Sequence, residues 1–236
     1  MALDERVAIV TGATGGLGRI VTRDLASAGV RLGLLCTRLD RLVTLATELS
    51  LPPDRWFGRA VDLRDAIATD EAVSAVAERF GRVDILVHLV GGWSGGTAVP
   101  DTQDAEFSGM LDQHFWTTLN VVRSVSPRLM ASGWGRIAAV SSPVATNTPA
   151  NMAAYAVGKA AEEPLLLTLA HEVAGTGVTV NVLQVRTIDA DHQRDSAPSP
   201  KNAHWTSPEE ISAALAYLLS DEGRVVNGAR IPLDGG

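Results

Sequence analysis

Cysteine is almost absent from this chain, because Cys36 is the only one in 236 residues. A lone cysteine excludes an intrachain disulfide and a cysteine-rich zinc site, and at the end of an apolar run we expect it in the core. Basic residues are also in deficit, with 20 Lys and Arg against 27 Asp and Glu and a formal charge of -7. This deficit argues against nucleic acid or a membrane surface as a partner.

Long hydrophobic runs are missing too. No stretch of about 18 apolar residues is present for a membrane span, and the opening "MALDERVAIV" lacks the pattern of a signal peptide. We therefore expect a cytoplasmic protein. The histidines are scattered, without a ligand spacing, so no metal site is predicted; they are His88, His114, His171, His192 and His204.

The chain does contain short apolar runs that alternate with longer helical patterns. Runs without apolar/polar alternation, each followed by a helix, predict a parallel sheet covered on both faces. The predicted strands are 6–10, 31–36, 56–63, 83–90, 135–142, 177–185 and 229–234. The predicted helices are 16–28, 40–49, 65–80, 104–131, 152–174 and 208–220. This order indicates an α/β fold with a doubly wound, seven-stranded, mostly parallel sheet in a Rossmann-type three-layer sandwich, as one domain over residues 1–236.

A glycine cluster, "VTGATGGLGRI", follows the first strand and opens the first helix. Gly12 can make the tight turn, Gly16 can let a pyrophosphate approach the backbone, and Gly18 can let the helix pack on the sheet. The spacing G-x-x-x-G-x-G, which includes Gly15, is one residue longer than the commoner dinucleotide fingerprint. The alternative is a merely tight strand–helix turn.

The second strand should end beside the adenosine ribose, and an acidic residue there would repel a 2′-phosphate. The sequence has "CTRLDR", in which Arg38 can hold a phosphate bidentately. This favours NADP(H), with NAD(H) possible, unless Arg38 is simply a solvated helix-start residue. Asp62, after the third strand, can accept from the adenine amino group or can cap the following helix.

The stretch "YAVGK" places Tyr155 and Lys159 one helical turn apart, on one face. It is either a proton-transfer pair or an exposed i,i+4 pair. A free tyrosine has a pKa near 10, and about 4 kcal/mol of differential stabilisation is needed to bring it near 7. The Lys159 ammonium, with a positive nicotinamide, can supply much of that.

With these motifs the chain resembles the short-chain dehydrogenase/reductase family from Arg6 to Gly236, as a divergent member. The resemblance rests on "TGATGGLG", "VDL", the serine of "AVSS", "YAVGK", "VTVNVL" and the C-terminal stretch from Ser207. In that family the catalytic serine precedes the tyrosine by thirteen residues, which selects Ser142 rather than Ser141. The resemblance also places Thr14, Leu17, Leu63, Val90, Gly91 and Ile188 along the cofactor.

The resemblance implies hydride transfer between a nicotinamide and a small-molecule carbonyl or alcohol. Tyr155 would be the acid or base, Ser142 would donate to the substrate oxygen, and Lys159 would hold the nicotinamide ribose. It also implies a homodimer or homotetramer, formed through the helices at 104–131 and 152–174. The alternative function is a nucleotide-binding sensor or non-catalytic subunit that retains the fold.

Two departures from the family pattern lie near the expected centre. His88 to Gly91 stand where the family has two asparagines, alanine and glycine, so the polar contacts that brace the central sheet are expected to be lost and His88 to be structural. His114 stands at the asparagine of the family's proton relay. An imidazole can either substitute in that relay or block it.

Further departures affect the substrate side. Val185 and Arg186 replace proline-glycine after the sixth strand, and Arg186 could pair with an acidic substrate or with Asp189 or Asp191. The loop at about 186–206 shows no clear amphipathic helix, and it is either a substrate loop or a plain surface loop. Trp93 and Trp205 could be apolar walls, or core or interface residues. Pro164 should bend the helix that carries Tyr155, beyond the catalytic turn.

Overall fold

The computed structural model describes residues 3–235 as a seven-stranded sheet between two layers of helices. The strands run β1 (Val7–Thr11), β2 (Arg31–Cys36), β3 (Trp56–Ala60), β4 (Ile85–His88), β5 (Gly135–Ser141), β6 (Val178–Val185) and β7 (Arg230–Leu233). Their order across the sheet is β3-β2-β1-β4-β5-β6-β7, and every pairing is parallel. The expected doubly wound α/β fold is confirmed.

Eight α-helices connect the strands within the described chain. They are α1 (Gly16–Ser27), α2 (Leu39–Glu48), α3 (Ala66–Phe80), α4 (Asp104–Leu111), α5 (Thr117–Ser132), α6 (Ala153–Glu172), α7 (Gln193–Ser196) and α8 (Pro208–Leu219). One hydrophobic cluster joins α3, α5 and α6 to one face of the sheet. A second joins α1, α2 and α8 to the other face. Both faces are therefore covered, which is why the central strands β1 and β4 are buried along their whole length.

Local sequence explains where several elements begin and end. All eight residues of β6 are buried, as expected for a central strand covered on both faces. The Asp65 carboxylate accepts from the amides of Ile67 and Ala68 and caps α3, which ends at the left-handed Gly81. Ser207 and Glu210 form a reciprocal capping box at the start of α8. These signals are local, so they are readable before the fold is known.

Some boundaries differ from the sequence-based expectation. The stretch predicted as one helix over 104–131 is α4, a π-helical turn at Asp112–Trp116, and α5. The third and fourth strands are shorter than 56–63 and 83–90, because the chain leaves the sheet at Ala60 and His88. Pro164 does not interrupt α6, where it occupies an exposed position. Cys36 is only partly buried.

Over residues 3–235, none of the helices combines the length and apolar character that crossing a lipid bilayer would need.

Candidate active site

The strand order reverses between β1 and β4, and an open cleft of about 870 Å³ lies at the carboxyl ends of the strands there. In open α/β sheets this switch point is where ligands bind. Predicted site residues that line the cleft are Gly12, Gly15, Gly16, Leu17, Gly18, Val90, Gly91, His114, Ser142, Tyr155, Lys159 and Ile188. Residues far apart in sequence are thus brought to one surface.

The glycine turn has the backbone geometry that a pyrophosphate site needs. Gly12 has a φ of +67°, and a Cβ there would lie 2.9 Å from the Leu89 carbonyl oxygen. A Cβ on Gly18 would lie 2.2 Å from the Gly12 carbonyl oxygen, so only glycine lets α1 pack this closely. A Cβ on Gly16 would meet only ordinary contact, 3.5 Å from the Ala190 Cβ. Packing within the chain therefore does not require glycine at position 16. The absence of a side chain there leaves room for a bound ligand.

The start of α1 can hold an anion. Its N-cap is Gly15, and no side chain accepts from the first amides of the helix. Free amides and the positive end of the helix dipole favour a phosphate at this position. Together with the cleft, this uncapped terminus fits the pyrophosphate of a dinucleotide.

Ser142 and Tyr155 reach the cleft from different elements. Ser142 directly follows β5, is buried, and accepts a 3.4 Å hydrogen bond from the Val144 amide. Tyr155 lies in the first turn of α6 and is half-buried, with its ring edge-to-face against His114 at 5.5 Å between centroids. Both hydroxyl-bearing side chains line the same cleft. The neighbouring Ser141 hydroxyl is buried without a hydrogen-bond partner.

Lys159 is held by two hydrogen bonds in the interior. Its Nζ donates to the Val140 carbonyl oxygen at 2.9 Å and to Glu162 Oε2 at 2.7 Å. Both side chains of the ion pair are almost fully buried. The sequence-based reasoning missed Glu162. Its signal was a carboxylate three residues after Lys159, on the same face of the helix.

His114 fits into the wall of the cleft because glycines surround it. A Cβ on Gly91 would lie 2.9 Å from His114 Cε1, and a Cβ on Gly158 would lie 3.0 Å from Cδ2. Its Nε2 lies 3.0 Å from the Gly92 carbonyl oxygen. Burial, with the charge of Lys159, lowers the pKa of His114 to about 3, against which the Gly92 hydrogen bond acts weakly. The imidazole is therefore neutral near pH 7.

His88 corrects the expectation that the polar brace of the central sheet is lost. Its Nδ1 lies 2.8 Å from the Thr11 hydroxyl of β1, and its Nε2 lies 3.0 Å from the Thr118 hydroxyl of α5. Burial, with the charges of Lys159 and His114, lowers the pKa of His88 to about 3. A neutral histidine thus joins β1, β4 and α5, and its structural role is as predicted.

The proton positions around His88 follow from its partners. Thr118 donates its single hydroxyl proton to the His114 carbonyl oxygen at 2.5 Å, so it must accept from His88 Nε2. His88 Nδ1 is then the acceptor from Thr11, whose oxygen also accepts from the Leu89 amide. The chain of hydrogen bonds is complete only with the Nε2–H tautomer.

Four of the predicted cofactor-binding residues lie outside the central cleft; they are Thr14, Arg38, Asp62 and Leu63. Arg38 is exposed just beyond β2 and pairs with Asp40, which raises the pKa of Arg38 and lowers that of Asp40. The Asp62 carboxylate accepts from the guanidinium and the amide of Arg64, which lower its pKa. Leu63 is buried in the core. Arg38 and Asp62 both follow neighbouring strand ends, as the prediction requires.

The mouth of the cleft carries apolar and basic side chains. Trp93, Trp205, Arg186 and Lys201 line it, and Trp93 is 62% exposed. Asp189 is not the partner of Arg186, because its carboxylate accepts from the amides of Gln193 and Arg194.

The loop at about 186–206 is more regular than expected. Asp189 caps the short helix α7, and the Asn202 amide donates to the carbonyl oxygens of Gln193 and Ala197. Arg194 joins the loop to Glu210 of α8 and to the carbonyl oxygen of Gly235. Asp189 lies three residues before the N-cap of α7, which is His192, so the ordinary N-cap pattern would not have revealed this contact.

For residues 3–235, we find no group of three or more His, Cys, Asp or Glu side chains placed to hold a metal ion.

Comparison with known proteins identifies the family of the chain. Residues 6–201 match the family model described as short chain dehydrogenase. D-threitol dehydrogenase of Mycolicibacterium smegmatis is 29% identical over 99% of this chain and 93% of its own length. The 3-oxoacyl-[acyl-carrier-protein] reductase of Escherichia coli is 26% identical over 100% and 98%. A short-chain type dehydrogenase/reductase structure from Mycobacterium ulcerans has a TM-score of 0.91 at 25% identity, covering 100% of this chain and 90% of that one. The chain belongs to the short-chain dehydrogenase/reductase family of oxidoreductases.

Proposed function

We propose that the protein interconverts a small-molecule carbonyl and an alcohol, with NADP(H) as the preferred cofactor and NAD(H) as a possible one. The observation that carries the proposal is the convergence of Ser142, Tyr155 and Lys159 on the cleft that begins at the glycine turn. A bound nicotinamide supplies the hydride donor or acceptor. Residues 186–206 would form the substrate loop, since Ile188 and Trp205 face the same cleft.

Side chains of the cleft supply the proton transfer, the hydrogen bond to the substrate oxygen and the binding of the cofactor. Tyr155 gives a proton to the substrate oxygen in reduction and takes it back in oxidation. Ser142 donates a hydrogen bond to that oxygen as charge develops there. Lys159 is fixed by Val140 and Glu162, so its ammonium can stabilise the Tyr155 phenolate and hold a ribose hydroxyl. The wall formed by His114 and Gly91 would orient the nicotinamide side of the cofactor.

The experiment that tests the proposal is a turnover screen of the purified full chain. NADPH or NADH consumption is followed with sugars, ketones, aldehydes and 3-oxoacyl thioesters, and NADP⁺ or NAD⁺ reduction is followed with polyols. These classes include the kinds of compound in the names of the two relatives above. Turnover of a carbonyl or alcohol supports the proposal. Tight nucleotide binding with no turnover of any class would instead favour a sensor.

Arg38 is the residue on which the proposed NADP(H) preference rests. Among residues 3–235, the exposed carboxylate of Asp40 is the only side chain that holds its guanidinium. An exposed ion pair of this kind contributes little, so a 2′-phosphate can take its place. We expect Arg38→Leu to weaken NADPH binding by roughly tenfold or more and NADH binding much less. Calorimetric titration of both nucleotides measures the two affinities.

Asp40→Asn is the matched control for Arg38, because it removes the competing carboxylate and keeps the guanidinium. It should leave NADPH binding as tight as in the unaltered protein, or tighter. An equal loss of NADPH and NADH affinity in Arg38→Leu would contradict the assignment.

We also propose that the protein is a homodimer or homotetramer. The helices expected to form the interface expose apolar side chains, including Trp116 beside α5, Met130 on α5 and Val157 on α6. Light scattering should give a mass of two or four chains, and Val157→Asp should shift it toward one. A single-chain mass for the unaltered protein would refute this expectation.

A further inference from the structure

Glu162 is a fully buried carboxyl that takes no direct part in the proposed reaction. It lies one turn beyond Lys159 on α6, and its Oε2 accepts from Lys159 Nζ at 2.7 Å. Its other oxygen, Oε1, is buried and has no hydrogen-bond partner among the residues that the structure describes. A buried carboxylate with one cation and one unsatisfied oxygen is costly, so its position calls for an explanation.

The ring nitrogen of His114 that faces Glu162 carries no proton. The Gly92 carbonyl oxygen can only accept, so His114 Nε2 must carry the proton and Nδ1 must be an acceptor. Within residues 3–235, Nδ1 is buried without a hydrogen-bond partner, and it lies 3.9 Å from Glu162 Oε2. Two acceptors therefore face each other without a donor between them. One proton on the carboxyl, with a small rotation or a bridging water, would satisfy both.

Groups on several elements act on the Glu162 carboxyl. Burial raises its pKa, and the charge and hydrogen bond of Lys159 oppose that rise. The neighbouring Glu163 raises the pKa of Glu162 further. His114 and His88 are neutral near pH 7, so Lys159 is the cation that acts directly on it. Glu163 itself is bound to Gln184 and Arg230 on the β6–β7 side.

We propose that Glu162 is a positioning residue for Lys159, and that its carboxyl gains or loses one proton with pH and so sets how much of the Lys159 charge acts on Tyr155. The inference rests on the proposed function for its catalytic consequence. When the carboxyl is protonated, Lys159 keeps its full charge and His114 Nδ1 has a donor. When the O–H bond breaks and the proton passes to solvent, the carboxylate compensates Lys159.

The ionised carboxylate weakens the stabilisation of the Tyr155 phenolate. It therefore raises the pH at which Tyr155 ionises. Glu162→Gln removes this effect of the carboxylate and keeps an acceptor for Lys159. We expect Tyr155 in Glu162→Gln to ionise about one pH unit lower, the size of effect expected from one charge several Å away in a protein interior. In the oxidation direction the rising limb of kcat/KM should shift by the same amount.

The first measurement needs no substrate. The chain has two tyrosines, so phenolate absorbance against pH, with Tyr155→Phe subtracted, reports Tyr155 alone. This titration distinguishes a failure of the Glu162 proposal from a failure of the proposed function, because it gives a result even if no substrate is found. The kcat/KM profile is the second readout and is run once a substrate is known.

Glu163→Gln is the matched control, because it removes an equally buried carboxyl from the next position on the helix. It lacks the contact with Lys159, so it should shift the Tyr155 titration much less than Glu162→Gln does. Equal titrations of the unaltered protein and Glu162→Gln would overturn the proposal, as would equal shifts in Glu162→Gln and Glu163→Gln.

A direct measurement guards against a variant that does not fold. Carboxyl-carbon NMR on the unaltered protein, assigned by loss of one signal in Glu162→Gln or in Glu162→Met, reads the ionisation of Glu162 itself. We expect a glutamate signal that titrates above the ordinary value of 4.5. If every glutamate signal titrates at or below that value, the proposal is wrong.

Discussion

Replacing Tyr155 by phenylalanine is expected to lower kcat/KM by about 10²–10⁴-fold, the usual contribution of a positioned general acid or base. The phenylalanine ring keeps the edge-to-face contact with His114, so the wall of the cleft should be unchanged. Nucleotide affinity should stay close to that of the unaltered protein, because Lys159 and the glycine turn are untouched. The loss should therefore appear mainly in kcat.

Tyr217→Phe is the control for this substitution. Tyr217 lies on α8, is 49% exposed and is outside the cleft, so its removal should leave turnover unchanged. Turnover within a few-fold of the unaltered protein in Tyr155→Phe would remove Tyr155 from the reaction and with it the proposed mechanism.

Acidification is expected to unfold the protein early, because two buried histidines must remain neutral in the fold. The pKa values of His88 and His114 are lowered from 6.5 to about 3. A histidine whose pKa is depressed by folding contributes stability that is present above pH 6.5 and is lost as the pH falls toward the folded value. Each should remove about 1.4 kcal/mol of unfolding free energy per pH unit in that window.

The two histidines together can therefore remove a large part of the roughly 5–15 kcal/mol by which domains are stable. Urea unfolding between pH 7 and 5 measures the slope before most carboxylates titrate. Glu162 acts in the opposite direction above pH 4.5, since its pKa is raised in the fold.

Substitution of each histidine measures how much of the pH dependence of stability is due to it. His88→Gln or His114→Gln should lower the stability at pH 7 and should also reduce the slope of stability against pH by up to about half. His192→Gln is the control, because His192 is half-exposed and paired with Glu209, and its removal should change the slope little. An unchanged slope in both core variants would show that these histidines are not what makes the fold sensitive to acid.

Most of the fold was readable from the sequence, for reasons that are local. The apolar runs of the strands, the glycine turn and the caps at Asp65 and Ser207 act over a few residues, so their patterns survive in one dimension. The family resemblance, which places the serine thirteen residues before Tyr155, also named Ser142, Tyr155 and Lys159, and the structure brings these three residues to one cleft. Hydrophobic periodicity could not reveal the π-helical turn at Asp112–Trp116, because α4 precedes it and α5 follows it without a break.

The sequence alone therefore determined the class of fold and the edge of the sheet at which the cleft lies, because these follow from periodicity and from the glycine turn after the first strand. Only the tertiary structure decided what His88, His114 and Glu162 do. Their roles depend on contacts with Thr11, Thr118, Gly92 and Lys159 from other turns and strands, and on the exclusion of water around them. Burial and distance set the charge of an ionisable side chain, and neither is encoded by its position in the chain.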